Sequence, residues 1–196
     1  MIYFTSDTHF GHQNIAGENV SRWKDGYRKY GSTEAMNEAL VKAINQTVTE
    51  NDTLYHLGDW SFGGVENILR FRKQLRCQSI HLILGNHDEH IENNEIIPSV
   101  GVKAQECFTS VSHYKEIVIN GQRFALFHYG MRSWHWAGKG TIHLYAHSHD
   151  ALPPFGKSMD VGVDVALRLF KTPRPFSITE IKEIMDKREN HTHKPE

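Results

Sequence analysis

An α/β fold is expected from three observations: apolar strand-like runs that end in short polar loops, helical spacing between those runs, and an Asn-Gly turn signal in the second half. Ile2 to Thr5 form the first run. Ser6-Asp7-Thr8-His9-Phe10-Gly11-His12 follows as the loop at its carboxyl end, where open α/β sheets place ligands. From Thr33 to Glu50, Met36, Leu40, Ala43, Ile44, Thr47 and Val48 recur at helical spacing, with Ser32 as cap and Glu34 in the first turn. Thr53 to Leu57 make a second buried run that stops at Gly58-Asp59, and Val65 to Leu75 return to a helix through Val65, Ile68, Leu69 and Leu75. Ile80 to Leu84 repeat the strand and end in Gly85-Asn86-His87-Asp88. Glu116 to Ile119 and Arg123 to Phe127 then flank Asn120-Gly121, which predicts an antiparallel hairpin. Thr141 to Tyr145 and Met159 to Val165 read as further strands. Ser177-Ile178-Thr179-Glu180 is a capping box opening a last helix with Ile181, Ile184 and Met185.

The chain has 196 residues, 39% of them hydrophobic, enough for one domain to bury a core without disulfides. The domain is expected over residues 1–188, with a polar tail at 189–196 whose His191 and His193 lie at a frayed end. The formal charge of -1 supplies no global positive field for a long nucleic acid, so a small or locally bound anionic substrate is favoured. Cys77 and Cys107 stand apart with no CxxC spacing, as free thiols do in a reducing, cytoplasmic setting. The first residues already read as a strand, which argues against a signal peptide. No apolar run approaches the roughly 20 residues that span a bilayer, so no membrane partner is expected.

Histidine is the outlier, with 14 in the chain, and imidazole is both a metal ligand and a proton carrier near neutral pH. Five places share one design, in which a strand-like run delivers polar ligands into a turn: Asp7-Thr8-His9, Gly58-Asp59, Gly85-Asn86-His87-Asp88, His128, and His147-Ser148-His149. Each is weak alone. Together they are hard to explain by packing, and imidazole, carboxylate and amide oxygen without cysteine suit Mn, Fe, Zn or Ni better than Ca or a thiolate cluster.

In order and identity these segments resemble the calcineurin-like metallophosphoesterase superfamily, whose pattern runs D-x-H, G-D, G-N-H-D/E, H and G-H-x-H. The likeness covers about three quarters of the chain and is greatest to small, uncapped bacterial and phage-type members, through His9 to Asn14 and His128 to Trp134. It implies a four-layer α/β sandwich, two mixed β-sheets face to face with helices outside. It also implies hydrolysis of phosphate mono- or diesters by in-line attack of a metal-bridging hydroxide at a dinuclear centre, with manganese the favoured ion. Asp7, His9 and His149 would hold the first metal, Asn86, His128 and His147 the second, and Asp59 both. His87 would protonate the leaving group while Asp88 orients its ring. The family's last motif reads Ala146-His147-Ser148-His149 here, losing a glycine but neither imidazole. Gly58-Asp59-Trp60-Ser61-Phe62 lacks the second aspartate of G-D-x-x-D, which argues against protein phosphatase activity. A nuclease acting on short single strands and a non-catalytic metal-binding scaffold are the rival functions.

Around the ligands, His12 and Asn14 either contact substrate phosphate or, for Asn14, cap the next segment. Arg132 is either a bidentate phosphate donor or a surface arginine. Trp134, His135 and Trp136 either wall in a flat leaving group such as a nucleobase or simply pack. His81, His90, His113 and His143 fall outside the pattern and are not expected on metal. The substrate is expected to be a small phosphoester or nucleotide.

Overall fold

The structure, a computed structural model, describes residues 1–17 and 28–190. Its elements in chain order are β1 (Ile2–Thr5), α1 (Thr33–Thr47), β2 (Thr53–His56), α2 (Val65–Gln74), β3 (Ser79–Ile83), α3 (Glu89–Glu92), β4 (Ile96–Ile97), β5 (Val102–Lys103) and β6 (Ser110–Ser112). There follow β7 (Tyr114–Ile119), β8 (Gln122–Phe127), β9 (Ile142–Tyr145), β10 (Ser158–Asp160), α4 (Val163–Phe170), β11 (Phe176–Ser177) and α5 (Ile178–Met185). Three 3₁₀ turns, at Gln13–Ile15, Ala104–Cys107 and Ala137–Lys139, punctuate the connections.

Two mixed sheets form the centre. The first runs β11-β1-β2-β3-β6, parallel except for β11, and the second β10-β9-β8-β7, parallel except for β7. Alternation along the strands sorts residues between layers. Phe4, Tyr55, Leu57 and Ile83 of the first sheet meet Phe124, Leu126, Ile142 and Leu144 of the second, with Phe4 and Phe124 ring centroids 5.8 Å apart. On the other face of the first sheet, Leu54, Ile80 and Leu82 pack against Ile44 of α1 and Ile68 and Phe71 of α2. The outer face of the second sheet carries Ala125 under Trp134 and Ala137. Val165 and Ala166 of α4 and Ile181 and Met185 of α5 join the inter-sheet core. This is the sandwich that the resemblance implies. Cys77 and Cys107 are buried and unbridged, and among the described residues no helix is long and apolar enough to cross a membrane.

Local chemistry sets the element ends. Asn120 and Gly121 take φ of 49° and 79°, the left-handed pair that matches a two-residue turn to strand twist. Ser32 Oγ accepts the Ala35 N–H at 3.0 Å, and Ser177 and Glu180 complete the predicted capping box. α1 stops at Thr47 rather than Glu50, because Asp52 Oδ2 captures the Thr49 N–H at 2.8 Å and its hydroxyl at 2.7 Å, turning the chain out of the helix. The expected strand from Met159 to Val165 is corrected more heavily: only Ser158–Asp160 pair. The Gly162 N–H donates to Asp160 Oδ1 at 2.7 Å, and α4 begins at Val163. Tail residues 191–196, with His191 and His193, lie outside the described residues.

Candidate metal centre

Every ligand-bearing loop follows the carboxyl end of a parallel strand: Asp7 and His9 after β1, Asp59 after β2, Asn86 after β3, His128 after β8, and His147 and His149 after β9. The backbone there is unusual. Among the described residues ten non-glycine positions have positive φ, and Asp7, His9, Asp59, His147 and His149 are five of them. Left-handed backbone at such residues costs about 1–3 kcal/mol each, and its clustering marks a site where side-chain aim outweighs stability. Glycines make the close approaches possible. A Cβ on Gly85 would lie 2.3 Å from Asp59 Oδ1, and one on Gly58, at φ +98°, would lie 2.5 Å from Gly85 N.

The side chains converge in two groups. Asp7, His9 and His149 each present one donor atom within 4.8 Å of the others, and Asp59, His128 and His147 do the same. Asp59 Oδ2 lies between the groups, 3.6 Å from His9 Nε2 and 3.6 Å from His128 Nε2. Asn86 Oδ1 is 3.0 Å from His128 Nε2. His128 Nδ1 donates to Leu57 O at 2.6 Å, so in the neutral ring Nε2 carries a lone pair aimed at two oxygen acceptors. Such convergence of lone pairs calls for a cation. His9 supports the same conclusion, with both ring nitrogens buried and without a hydrogen-bond partner, as ligands awaiting an ion would be. The donors therefore fit divalent metal ions.

Burial acts in opposite directions on the carboxyl and on the imidazoles of the centre. It raises Asp7 well above the usual carboxylate range, with Asp160 and Asp59 adding to the rise against the pull of His149 and the Ser6 hydroxyl. Burial lowers His9 and His128, and takes His12 down to about 4. The neutral rings of His9 and His128 keep lone pairs for a cation, whereas Asp7 would give up its proton on binding one.

The residues behind the ligands were largely invisible in the sequence. Arg28, almost fully buried, donates Nε and Nη2 to the two oxygens of Asp164, each at 2.9 Å. It also reaches Asp7 O at 2.6 Å through Nη2 and Thr8 O at 3.1 Å through Nη1. Asp164 Oδ2 accepts His149 Nδ1 at 2.6 Å. Burial alone would raise Asp164, but Arg28 and His149 hold its carboxyl well below the usual range. Burial opposes protonation of His149, yet Asp164 and Asp7 outweigh it and raise the ring. Asp160 holds the last ligand loop, accepting Ser148 Oγ at 2.7 Å and Asp150 N at 3.2 Å. The one available signal was Asp160-Val161-Gly162-Val163-Asp164, a carboxylate pair around a glycine at a strand end. Nothing singled out Arg28.

The role expected for Asp88 is corrected. It does not touch the His87 ring; its two oxygens accept the main-chain N–H groups of Asp59, Trp60 and Gly85 at 2.8, 2.9 and 2.9 Å. It is pushed up to about 7 by burial, against those bonds. Asp88 thus ties together the loops after β2 and β3. His87 is exposed, its N–H held by Asp59 Oδ1 at 3.0 Å and its ring beside Phe62 at 4.7 Å and His9 at 5.7 Å. His12 stacks on Phe62 at 3.9 Å and lies 5.5 Å from His9, which puts it at the centre. Asn14 sits half-buried in the first 3₁₀ turn.

The other candidates stand outside the two donor groups. Arg132 is exposed and lines a cavity of about 230 Å³ with Met131, Leu152 and Phe155. Trp134 packs, its Nε1 donating to Thr141 O at 2.8 Å, while Trp136 is half-exposed between Arg123 and Lys139. His81 and His143 bond to Ser110 and Ala125, and His90 and His113 pair with Glu95 and Glu92. None joins the metal groups. Tyr129, which no ligand motif in the sequence includes, flanks His147 and His128 at ring distances of 4.8 and 5.0 Å.

With fold and donors in place, residues 1–186 match the calcineurin-like phosphoesterase family, and the chain belongs to it. It is a metal-dependent phosphoesterase, a hydrolase. An uncharacterized protein of Methanocaldococcus jannaschii is 29% identical over 193 residues, 95% of this chain and 92% of that protein. The crystal structure of a protein of unknown function from Aquifex aeolicus superposes with a TM-score of 0.63 at 25% identity, covering 94% of this chain and 98% of the other.

Proposed function

We propose that the chain hydrolyses small phosphate mono- or diesters, nucleotides among them, at a dinuclear centre. Asp7, His9 and His149 hold one ion, Asn86, His128 and His147 the other, and Asp59 joins the two. The observation that carries this reading is Asp59 Oδ2, 3.6 Å from a histidine of each group. Divalent cations held there, Mn²⁺ favoured and Fe, Zn or Ni compatible with the donors, would supply an acidified water and charge neutralisation for in-line attack on phosphorus.

The chain supplies the rest. His87, exposed and tethered through its N–H to Asp59, protonates the departing oxygen. His12, stacked on Phe62 beside His9, contacts the phosphate, with Asn14 behind it. Asp88 keeps the Gly58-Asp59 and Gly85-Asn86 loops in register through three N–H bonds. Two buried free thiols fit a reducing, cytoplasmic setting.

The test is a parallel Mn²⁺-supplemented assay of mono-, di- and cyclic phosphoesters and of short single-stranded oligonucleotides, with His128→Ala as background. Turnover of small esters that changes little with salt is expected. Activity no greater than His128→Ala would leave a scaffold. Cleavage confined to oligonucleotides and falling steeply with salt would leave a nuclease.

A further inference from the structure

We infer that Arg28 and Asp164 form a buried positioning brace that pre-organises the Asp7, His9 and His149 group for its ion and leaves the other group untouched. The inference deepens the proposed dinuclear reading and rests on it for the role of His149. Four hydrogen bonds to oxygen leave one guanidinium, two to Asp164 and one each to the carbonyls of Asp7 and Thr8. Arg28 clamps both oxygens of Asp164 at 2.9 Å, and Asp164 Oδ2 takes His149 Nδ1 at 2.6 Å. A carboxylate at Nδ1 keeps the proton on that nitrogen and leaves the Nε2 lone pair for the ion, with the ring's rotation fixed. Arg28 also binds the carbonyls of Asp7 and Thr8, the stretch where Asp7 and His9 hold φ of 51° and 46°. It therefore supports the strained loop that carries the other two ligands.

The geometry is specific to arginine. A lysine ammonium cannot span both oxygens of Asp164 and two carbonyls, because it lacks the planar fork. Arg28 is 1% exposed, so its charge is compensated entirely within the protein, by Asp164 and the carbonyl dipoles. Among the described residues, neither Arg28 nor Asp164 hydrogen-bonds to Asp59, His128 or His147. Their support comes from Leu57 O, from Asp88 and, for the His147 N–H, from the Asp7 carboxylate at 3.2 and 3.3 Å, so the brace reaches that group only indirectly, through Asp7. Arg28 and Asp164 touch neither substrate nor the reacting atoms; they act through His149, Asp7 and His9.

The test uses Asp164→Asn and Arg28→Lys in the full chain, with Mn²⁺ binding measured by titration and the His149 tautomer read by nitrogen NMR on metal-free protein above neutral pH. One of the two Mn²⁺ ions is expected to bind about 10–100-fold more weakly in each variant, with the second ion unchanged. In Asp164→Asn the His149 Nδ1 proton is expected to lose its single well-defined signal. Circular dichroism and the unfolding midpoint confirm that the variants fold; should Asp164→Asn not fold, Arg28→Lys carries the test. Two ions at wild-type affinities, or equal weakening of both, would overturn the brace. A wild-type chain that binds fewer than two ions would instead sink the dinuclear reading, and the tautomer measurement would still decide the brace.

Discussion

Asp7, His9 and His149 lie buried or half-buried with Arg28 and Asp164 packed behind them, whereas in the second group Asn86 and His147 stand exposed, His128 is held through Leu57 O, and, among the described residues, His147 is hydrogen-bonded only through its main-chain N–H to Asp7. One half is braced by a buried charged network; the other is open at its rim, where Tyr129 flanks His147 and His87 is exposed. Pre-organisation lowers the reorganisation that binding requires. The first group should therefore hold its ion tightly, and the second should exchange its ion more readily. Under the proposed function, substrate would reach the ions from this open side.

The largest expected effect concerns that open side. His87→Ala should slow hydrolysis of an alkyl phosphoester by about 10²–10⁴-fold and of a p-nitrophenyl ester far less, because a nitrophenolate departs without a proton. Steady-state rates on the two esters check this, and equal losses on both would remove His87 from the leaving-group side. Next in size is a contrast between the groups. His147→Ala should lower affinity for one ion by roughly 10–100-fold and recover activity in excess Mn²⁺, whereas His9→Ala should not recover. Recovery of both variants, read from activity against Mn²⁺ concentration, would erase the proposed asymmetry.

A comparable effect concerns the frame beneath. Burial takes His56 down to about 3 and His143 to about 4. Both rings stay neutral in the folded chain, while the unfolded chain takes up protons below about 6.5. Stability should then fall with pH between about 6.5 and 4, by ~2 kcal/mol per ring at about pH 5. Urea unfolding of the metal-free protein measures it, and His143→Gln should flatten the slope. The smallest effect lies far from the ions: Ser177→Ala removes the cap of α5 and should cost about 1 kcal/mol with metal binding unchanged.

What could be read from the sequence follows the same division. Ligands sit at strand ends in short polar loops, so Asp7, His9, Asp59, Asn86, His128, His147 and His149 were visible as local patterns, and the hairpin and both caps were equally local. The brace was not. Arg28 and Asp164 are 136 residues apart in the chain and meet only because α4 packs beside the loop after β1. α4 itself was hidden, since Val161, Val163 and Val165 alternate as a strand would until Asp160 turns the chain at Gly162. The resemblance implies Asp88 as the orienter of His87, but burial directs its carboxylate toward three main-chain N–H groups, a packing outcome that no local pattern encodes.

The bridge through Asp59 is tested most directly by counting Mn²⁺ bound per chain, by elemental analysis after gel filtration, in wild type and Asp59→Asn. Two ions in the wild type, and weakened retention of both in the variant, are expected. Two ions retained at full occupancy by Asp59→Asn would contradict a carboxylate shared between the groups.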